Sequence, residues 1–504
     1  MIAALADKGR LLLHLLRSEG VRSVTARVIF ACRRQLENRS RVTLHFGDVP
    51  PLPSNGAGEI ERVVVPGSGT LESQRRAIEM LEAELPAATA RGVLHLTSSD
   101  PSHPRGGADW HVAELRAGLH ALAWSSVVVW AESRTLKTLW GSSPERLWVF
   151  GLPTEPRERA RRQQLILGYL ARALSCQVVH AHDLRSFERS ALLQLGLPLV
   201  ISLHDFQLYC RRPHLMESTT SSFCDYSRDQ ERCRRCLEAA GLPQETVAAA
   251  AQERWRREAA ALIDRASALV APSGFMANAI GDLFGDRHVR RKVHVIENET
   301  ASAQRRDAGG NAGTRAPVRV VFVGQFTRSK GSALFAEIVR GLAADSRFDF
   351  RVVGGIVDHE SLRSARSAGR VETTGWYRRE RLPDLLDADS DVVAFVSVVP
   401  ESWSYTLTEV LTLGTPVVAL DLGAVGERLR RIGREDWLVS RDEGAGGFVR
   451  RLHDHVEGRL VWPAGPWESP WSSKQMTAQH AELYEECLKR QSREAGPTVA
   501  GTLG

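Results

Sequence analysis

The sequence predicts an α/β protein of two Rossmann-like, doubly wound domains that face a cleft, preceded by a helical extension. Three observations lead there. Short apolar runs alternate with helical patterns from about residue 91 onward, and runs spaced in that way form parallel, buried strands. The alternation occurs in two series, separated by Thr300–Pro317, a stretch rich in Gly, Ala and Arg that suits a flexible connection. The chain has 504 residues, 43% apolar and 25% charged, enough for more than one core.

Residues 1–45 carry nine Lys/Arg against Asp7, Glu19 and Glu37, so this segment holds a surplus equal to the net +6 of the whole chain. A body neutral on balance argues against nucleic acid as a partner. Leu5, Leu12 and Leu16, then Ile29, Cys32 and Leu36, fall at helical spacing on either side of Gly20. Two readings stay open: a helical arm packed on the body, or a peripheral anchor whose arginines meet an anionic membrane surface. Residues 46–70, rich in Pro and Gly, read as a linker, so 1–90 forms extension and linker together. No apolar run approaches the ~18 residues of a membrane span. The first twenty residues lack the pattern of a signal peptide. The expected location is cytoplasmic, with the inner face of the cell membrane as a site of peripheral attachment.

The first domain is expected over 91–299. Its strand candidates are Gly92–Thr97, Ser126–Trp130, Leu147–Phe150, Gln177–His180, Leu199–Leu203 and Ala268–Val270. The loop Pro104–Gly107 follows the first strand. Its Gly106 and Gly107 allow close backbone approach to a ligand, although for the motif alone a plain turn is the better reading. His111 lies on the helix that starts near Asp109. His204 and Asp205 end a buried strand, and His180 and His182 flank the strand end before it. An isolated histidine at a strand end is more often structural than functional.

Cys210, Cys224, Cys233 and Cys236 lie in an insertion over 208–238 and account for four of the seven cysteines. Disulfides are not expected in a cytoplasmic chain. The terminal C-x2-C fits a closed structural zinc site. Free thiols and an iron–sulfur cluster are the other readings.

The second domain is expected over 318–470, with strands at Val318–Val323, Phe350–Val353, Val371–Thr373, Val392–Val396 and Val417–Leu420. A helix over 471–490 should cross back to the first domain, leaving 491–504 as a tail. Within Pro400–Ala419, Glu401 sits in the loop after a strand, Ser402 to Tyr405 lead into a helix, and Glu409 lies on that helix. Unpartnered N–H groups at a helix start favour an anion such as a diphosphate. A carboxylate on the helix can accept hydrogen bonds from ribose hydroxyls, and one in the loop from sugar hydroxyls.

This segment resembles the E-x7-E signature of the retaining glycosyltransferases of family 4, which share the two-lobed GT-B fold. Val321–Gly331 is similar to their strand–Gly–Arg–…–Lys–Gly motif, and Gly423, Ala424 and Glu427 match its continuation. The resemblance covers about residues 91–490. It implies a nucleotide-sugar donor and transfer with retention to an acceptor hydroxyl; the basic segment 1–45 motivates a glycan or glycolipid acceptor, in polysaccharide, lipopolysaccharide or glycolipid synthesis. The resemblance implies Glu401, His204 and Lys330 as catalytic. Donor contacts would come from Glu409, Gly324, Gln325, Arg328, Gly375, Ser402, Trp403, Ser404, Tyr405 and Thr406. Gly106, Gly107, His111 and Asp205 would line the acceptor side. No catalytic divalent metal is expected, because Lys330 and helix N-termini can carry the developing charge. Gln325 stands where the family has an arginine, and Arg328 is the nearby candidate to replace that cation. The rival readings are a catalytically weak scaffold in a glycan assembly complex and a nucleotide-sugar epimerase or hydrolase.

Overall fold

The computed structural model describes residues 42–46, 91–298 except 105, 133, 142–145, 249 and 286, then 317–387, 390–463, Trp467 and 472–494. The arm helices expected before residue 42, the linker beyond residue 46, the connection 299–316 and the tail from 495 lie outside these residues. The chain divides into two compact units.

The first unit is built on a nine-stranded sheet, in order β1-β5-β4-β3-β2-β6-β7-β8-β9 among the described residues. Its strands are β1 (Val42–Phe46), β2 (Arg91–Thr97), β3 (Trp124–Glu132), β4 (Thr135–Trp140), β5 (Arg146–Gly151), β6 (Cys176–Ala181), β7 (Leu199–Ser202), β8 (Ala268–Ala271) and β9 (Val293–Val295). Helix α1 (Gly107–Ala121) crosses from β2 to β3, and the pair is parallel. The uninterrupted burial of β7 and β8 follows from helices covering both sheet faces.

Two features depart from the expected all-parallel sheet. Strand β4 pairs antiparallel with both β3 and β5, because the short turn after Glu132 leaves no room for a crossover. Its alternating sequence, TLKTLW, gives no continuous apolar run. Strand β1 pairs parallel with β5, so residues expected to end the helical extension instead form an edge strand.

The second unit carries a six-stranded parallel sheet, β12-β11-β10-β13-β14-β15. The strands are β10 (Val318–Val323), β11 (Phe348–Val353), β12 (Val371–Thr373), β13 (Asp391–Phe395), β14 (Val417–Leu420) and β15 (Leu438–Val439). Its core joins these valines and phenylalanines to the covering helices through Phe335, Leu407, Leu429 and Phe448.

Residues 214–248, most of the cysteine insertion, group with this second unit and not with the domain that precedes them in sequence. Arg441 explains the grouping. Its Nη1 donates to Asp225 at 2.6 Å, and its guanidinium lies 5.3 Å from the Phe223 ring centroid. The insertion contains helix α2 (Gln230–Ala239), capped by Asp229. Helices α3 (Ser332–Leu342), α4 (Tyr405–Thr412) and α5 (Gly423–Arg431) follow in the second unit. The last helix, α6 (Ser473–Glu494), belongs to the first unit. There Met476, Leu483 and Tyr484 enter the core beside Leu115, Leu119 and Trp124.

Candidate active site

In the second unit the residues expected to bind donor gather at the carboxyl ends of β10 and β13. Strand β10 runs into Gly324, exposed Gln325, and a tight turn that ends at Gly331. Gly331 has φ +85°, and a Cβ there would come within 1.8 Å of the Val396 carbonyl oxygen. Only glycine fits. The turn holds Lys330 with its Nζ 2.9 Å from Glu401 Oε1. The two are distant in sequence and arrive from different strand ends. Behind Glu401, a Cβ at Gly423 would meet the Glu401 backbone nitrogen at 2.7 Å, and Ala424 N–H donates to the Glu401 carbonyl at 2.9 Å. The start of α5 therefore fixes the backbone on which Glu401 stands.

Ser404 is a non-glycine residue with φ +78°, a costly conformation that persists only where its surroundings enforce it. The enforcing residue is Arg428 of α5, 2% exposed. Its Nη1 donates to the Ser404 carbonyl at 2.9 Å, its Nη2 donates to Thr408 Oγ1 at 2.7 Å, and its guanidinium lies 3.9 Å from the Trp403 ring centroid. The strained Ser404 starts α4, and no side chain caps that start. Ser402, Tyr405 and Thr406 are half-buried around it. Trp403, expected at the donor, is instead 3% exposed and packs with Arg428 under the loop.

Glu409 lies one turn along α4 and is 8% exposed. Burial pushes its carboxyl up from the ordinary value, opposed by the Arg379 guanidinium that is paired with it. Arg379 was not legible in the sequence, since it sits among several arginines in a polar turn. Gly375, with φ +73°, precedes that turn. Arg328 does not stand in for the cation missing at Gln325 as expected. Its Nε lies 3.1 Å from Asp358 Oδ2 and its Nη2 2.6 Å from Glu360 Oε2, so two carboxylates already match its charge. Asp358 also caps a helix and accepts from Ser332 Oγ at 2.6 Å, which together hold its carboxyl below the usual range against the cost of burial.

In the first unit, six histidines converge near the carboxyl ends of β2, β6 and β7. His182 Nε2 is 3.1 Å from His95 Nδ1, and His182 Nδ1 is 3.1 Å from His204 Nε2. His180 is held on both sides, by Tyr484 Oη at 2.6 Å and Ser202 Oγ at 2.8 Å. The ring centroids of His111 and His204 are 5.0 Å apart, and those of His111 and His480 5.3 Å. Burial lowers all six, His95 to about 3 and His204 and His480 each to about 4. They are neutral imidazoles at neutral pH.

His111 is 1% exposed, so it does not reach an acceptor as expected. It packs inside the cluster. His204 and Asp205 are half-buried, and burial pushes the Asp205 carboxyl up to about 6. Gly106 and Gly107 are exposed, and a Cβ at Gly106 would meet nothing within 4 Å. His95 and His480 had no motif to reveal them.

The four cysteines of the expected zinc site are half-buried in the insertion, where the Cys233 and Cys236 thiols act electrostatically on Cys224. Among the described residues, two sets of three ligand atoms lie within 4.8 Å of one another, and both are histidine sets. The thiols also make weak polar contacts. Cys233 Sγ donates to the Ser227 carbonyl at 3.6 Å, and Ser218 N–H donates to Cys236 Sγ at 3.3 Å.

Two parallel-sheet α/β units, one carrying a glycine-framed Lys–Glu pair beside a helix start, define a GT-B glycosyltransferase. The family profile described as "Glycosyl transferases group 1" matches residues 317–457, and that described as "Glycosyltransferase Family 4" matches residues 105–298. The chain belongs to the group 1, family 4-like glycosyltransferases. Among solved structures it is similar to the catalytic domain of starch synthase IV from Arabidopsis thaliana bound to ADP and acarbose, at 13% identity and TM-score 0.51, over 80% of this chain and 100% of that one. It also matches Anabaena Alr3699/HepE in complex with UDP, at 14% identity and TM-score 0.48, over 80% and 99% of the two chains. No curated protein matches.

Proposed function

We propose that the chain transfers a sugar from a nucleotide-sugar donor to an acceptor hydroxyl, with retention of anomeric configuration. The observation that carries the reading is the Lys330–Glu401 pair, 2.9 Å apart, set beside the uncapped start of α4. Departure of a nucleoside diphosphate builds negative charge. The Lys330 ammonium and the N–H groups opening α4 are positioned to receive it. Glu401, released from Lys330 as the diphosphate takes the cation, accepts hydrogen bonds from the sugar. Glu409, paired with Arg379, takes the ribose hydroxyls. Retention follows a front-face path, in which the leaving diphosphate helps to deprotonate the acceptor hydroxyl. His204 is kept as a catalytic residue on the family resemblance.

The acceptor class we propose is a polysaccharide, lipopolysaccharide or glycolipid precursor. The motive is the basic segment 1–45. No helix among the described residues is long and apolar enough to cross a membrane. Incubation with a panel of nucleotide sugars, followed by mass spectrometry of donor and product, tests the reaction. NMR of the product's anomeric proton tests retention. Gln325 and the neutralised Arg328 favour one rival, a weakly catalytic scaffold. A wild type that binds a donor but never consumes it would establish that rival.

A further inference from the structure

The histidine cluster, of which His204 alone is assigned a part in the proposed transfer, offers a further site. We propose that His111, His182 and His204 form a binding site for one divalent transition-metal ion of the zinc type.

One nitrogen from each of these rings lies within 4.8 Å of the other two. The His182 Nδ1 to His204 Nε2 separation, 3.1 Å, is close to the edge of a tetrahedral shell, about 3.3 Å for zinc–nitrogen bonds of about 2.0 Å. His111 supplies the independent observation. Both of its ring nitrogens are buried and neither has a hydrogen-bond partner. A polar group in that state costs about 1–3 kcal/mol unless something satisfies it. An ion bound to His111 supplies the missing partner.

The surroundings suit a metal. His480 Nδ1 lies 2.8 Å from the Met476 carbonyl. A carbonyl only accepts, so Nδ1 carries the proton and Nε2 carries the lone pair. That Nε2 is also buried and without a partner. His480 is not one of the three ligands, but its ring lies 5.3 Å from that of His111, centroid to centroid, so its bare nitrogen adds a lone pair beside them. His182, binding through the nitrogen that faces His204, donates its Nε2–H to His95 Nδ1. Asp183, which follows His182 directly in sequence, acts electrostatically on His204 while its carboxylate pairs with Arg185 at 2.6 Å. Imidazole-only donors select zinc, copper, nickel or iron over magnesium and calcium. The second spatial set, His95, His180 and His182, is less suited, because Tyr484 and Ser202 already hold both nitrogens of His180.

The test uses the full chain, stripped of metal with a chelator and titrated with cobalt(II). The expected result is about one equivalent of cobalt, giving visible d–d absorption without the near-ultraviolet band of a cobalt–thiolate bond, and displaced by zinc. His111→Gln and His182→Gln should each weaken cobalt binding by at least about tenfold. The Cys233→Ser/Cys236→Ser double variant should bind as the wild type does. Where a histidine variant fails to fold, the other variant and the wild-type spectrum decide. Absence of cobalt absorption in the wild type overturns the proposal. So does a thiolate band that the cysteine variant abolishes, or unchanged binding in the folded histidine variants.

Discussion

The two units build their strand ends from opposite chemistry. In the first, imidazoles crowd together, neutral and buried, with His182 touching both His95 and His204. In the second, carboxylates meet cations: Glu401 with Lys330, Glu409 with Arg379, and Asp358 together with Glu360 on Arg328. Matched charges beside a helix start can exchange partners when an anion arrives, and the proposed diphosphate role of the second unit rests on that property. Unmatched lone pairs await a proton or a metal. Both arrangements use the same topological position, which shows how little a parallel sheet by itself dictates about the chemistry at its end.

The largest expected effect breaks the second arrangement. Lys330→Ala or Glu401→Ala should lower the rate of sugar transfer by about a hundredfold or more, the scale of losing one group aimed at developing charge. Single-turnover kinetics on folded protein would measure it. An unchanged rate in both variants would remove the pair from the mechanism.

Next in size is backbone strain at the same place. Gly331→Ala should destabilise the second unit by about 2–4 kcal/mol, because its Cβ cannot coexist with the Val396 carbonyl. Denaturant unfolding with separate probes for each unit reads this. A loss of about 0.5 kcal/mol or less, the scale of an ordinary surface substitution, would mean that the turn relaxes freely.

Acid should separate the units in the metal-free chain. A histidine whose folded pKa lies below its unfolded value contributes stability that is present above the unfolded pKa and is lost as pH falls through the folded one. For His204 and His480 that window runs from 6.5 down to about 4, and for His95 down to about 3. The first unit should therefore lose its Tm steadily across that range while the second changes little. Bound zinc would shift the loss to lower pH. Equal acid sensitivity in both units would erase the contrast. The smallest effect is expected at Cys233→Ser. Protease digestion of 208–238 should be unchanged, and faster cleavage would return a metal to the thiols.

Much of the second unit was legible because its signals are local. The valine-rich strands of 318–420, the loop carrying Glu401 and the helix carrying Glu409 follow from runs of adjacent residues, and strand and helix periods are properties of adjacent residues. The turn ending at Gly331 was likewise visible as a glycine after a lysine. What lay beyond sequence was pairing. Nothing near Arg379 or Arg428 marks the first as the partner of Glu409 or the second as the brace of Ser404. The antiparallel β4, the edge strand β1 and the attachment of 214–248 to the second unit all depend on contacts between distant segments. The histidines show the division most clearly. His180, His182 and His204 could be placed at strand ends from the chain alone. Their union with His95, His111 and His480 required the sheet and α6 to bring six positions spread over about three-quarters of the chain into one cluster, because burial and proximity are properties of the folded packing and not of any local stretch.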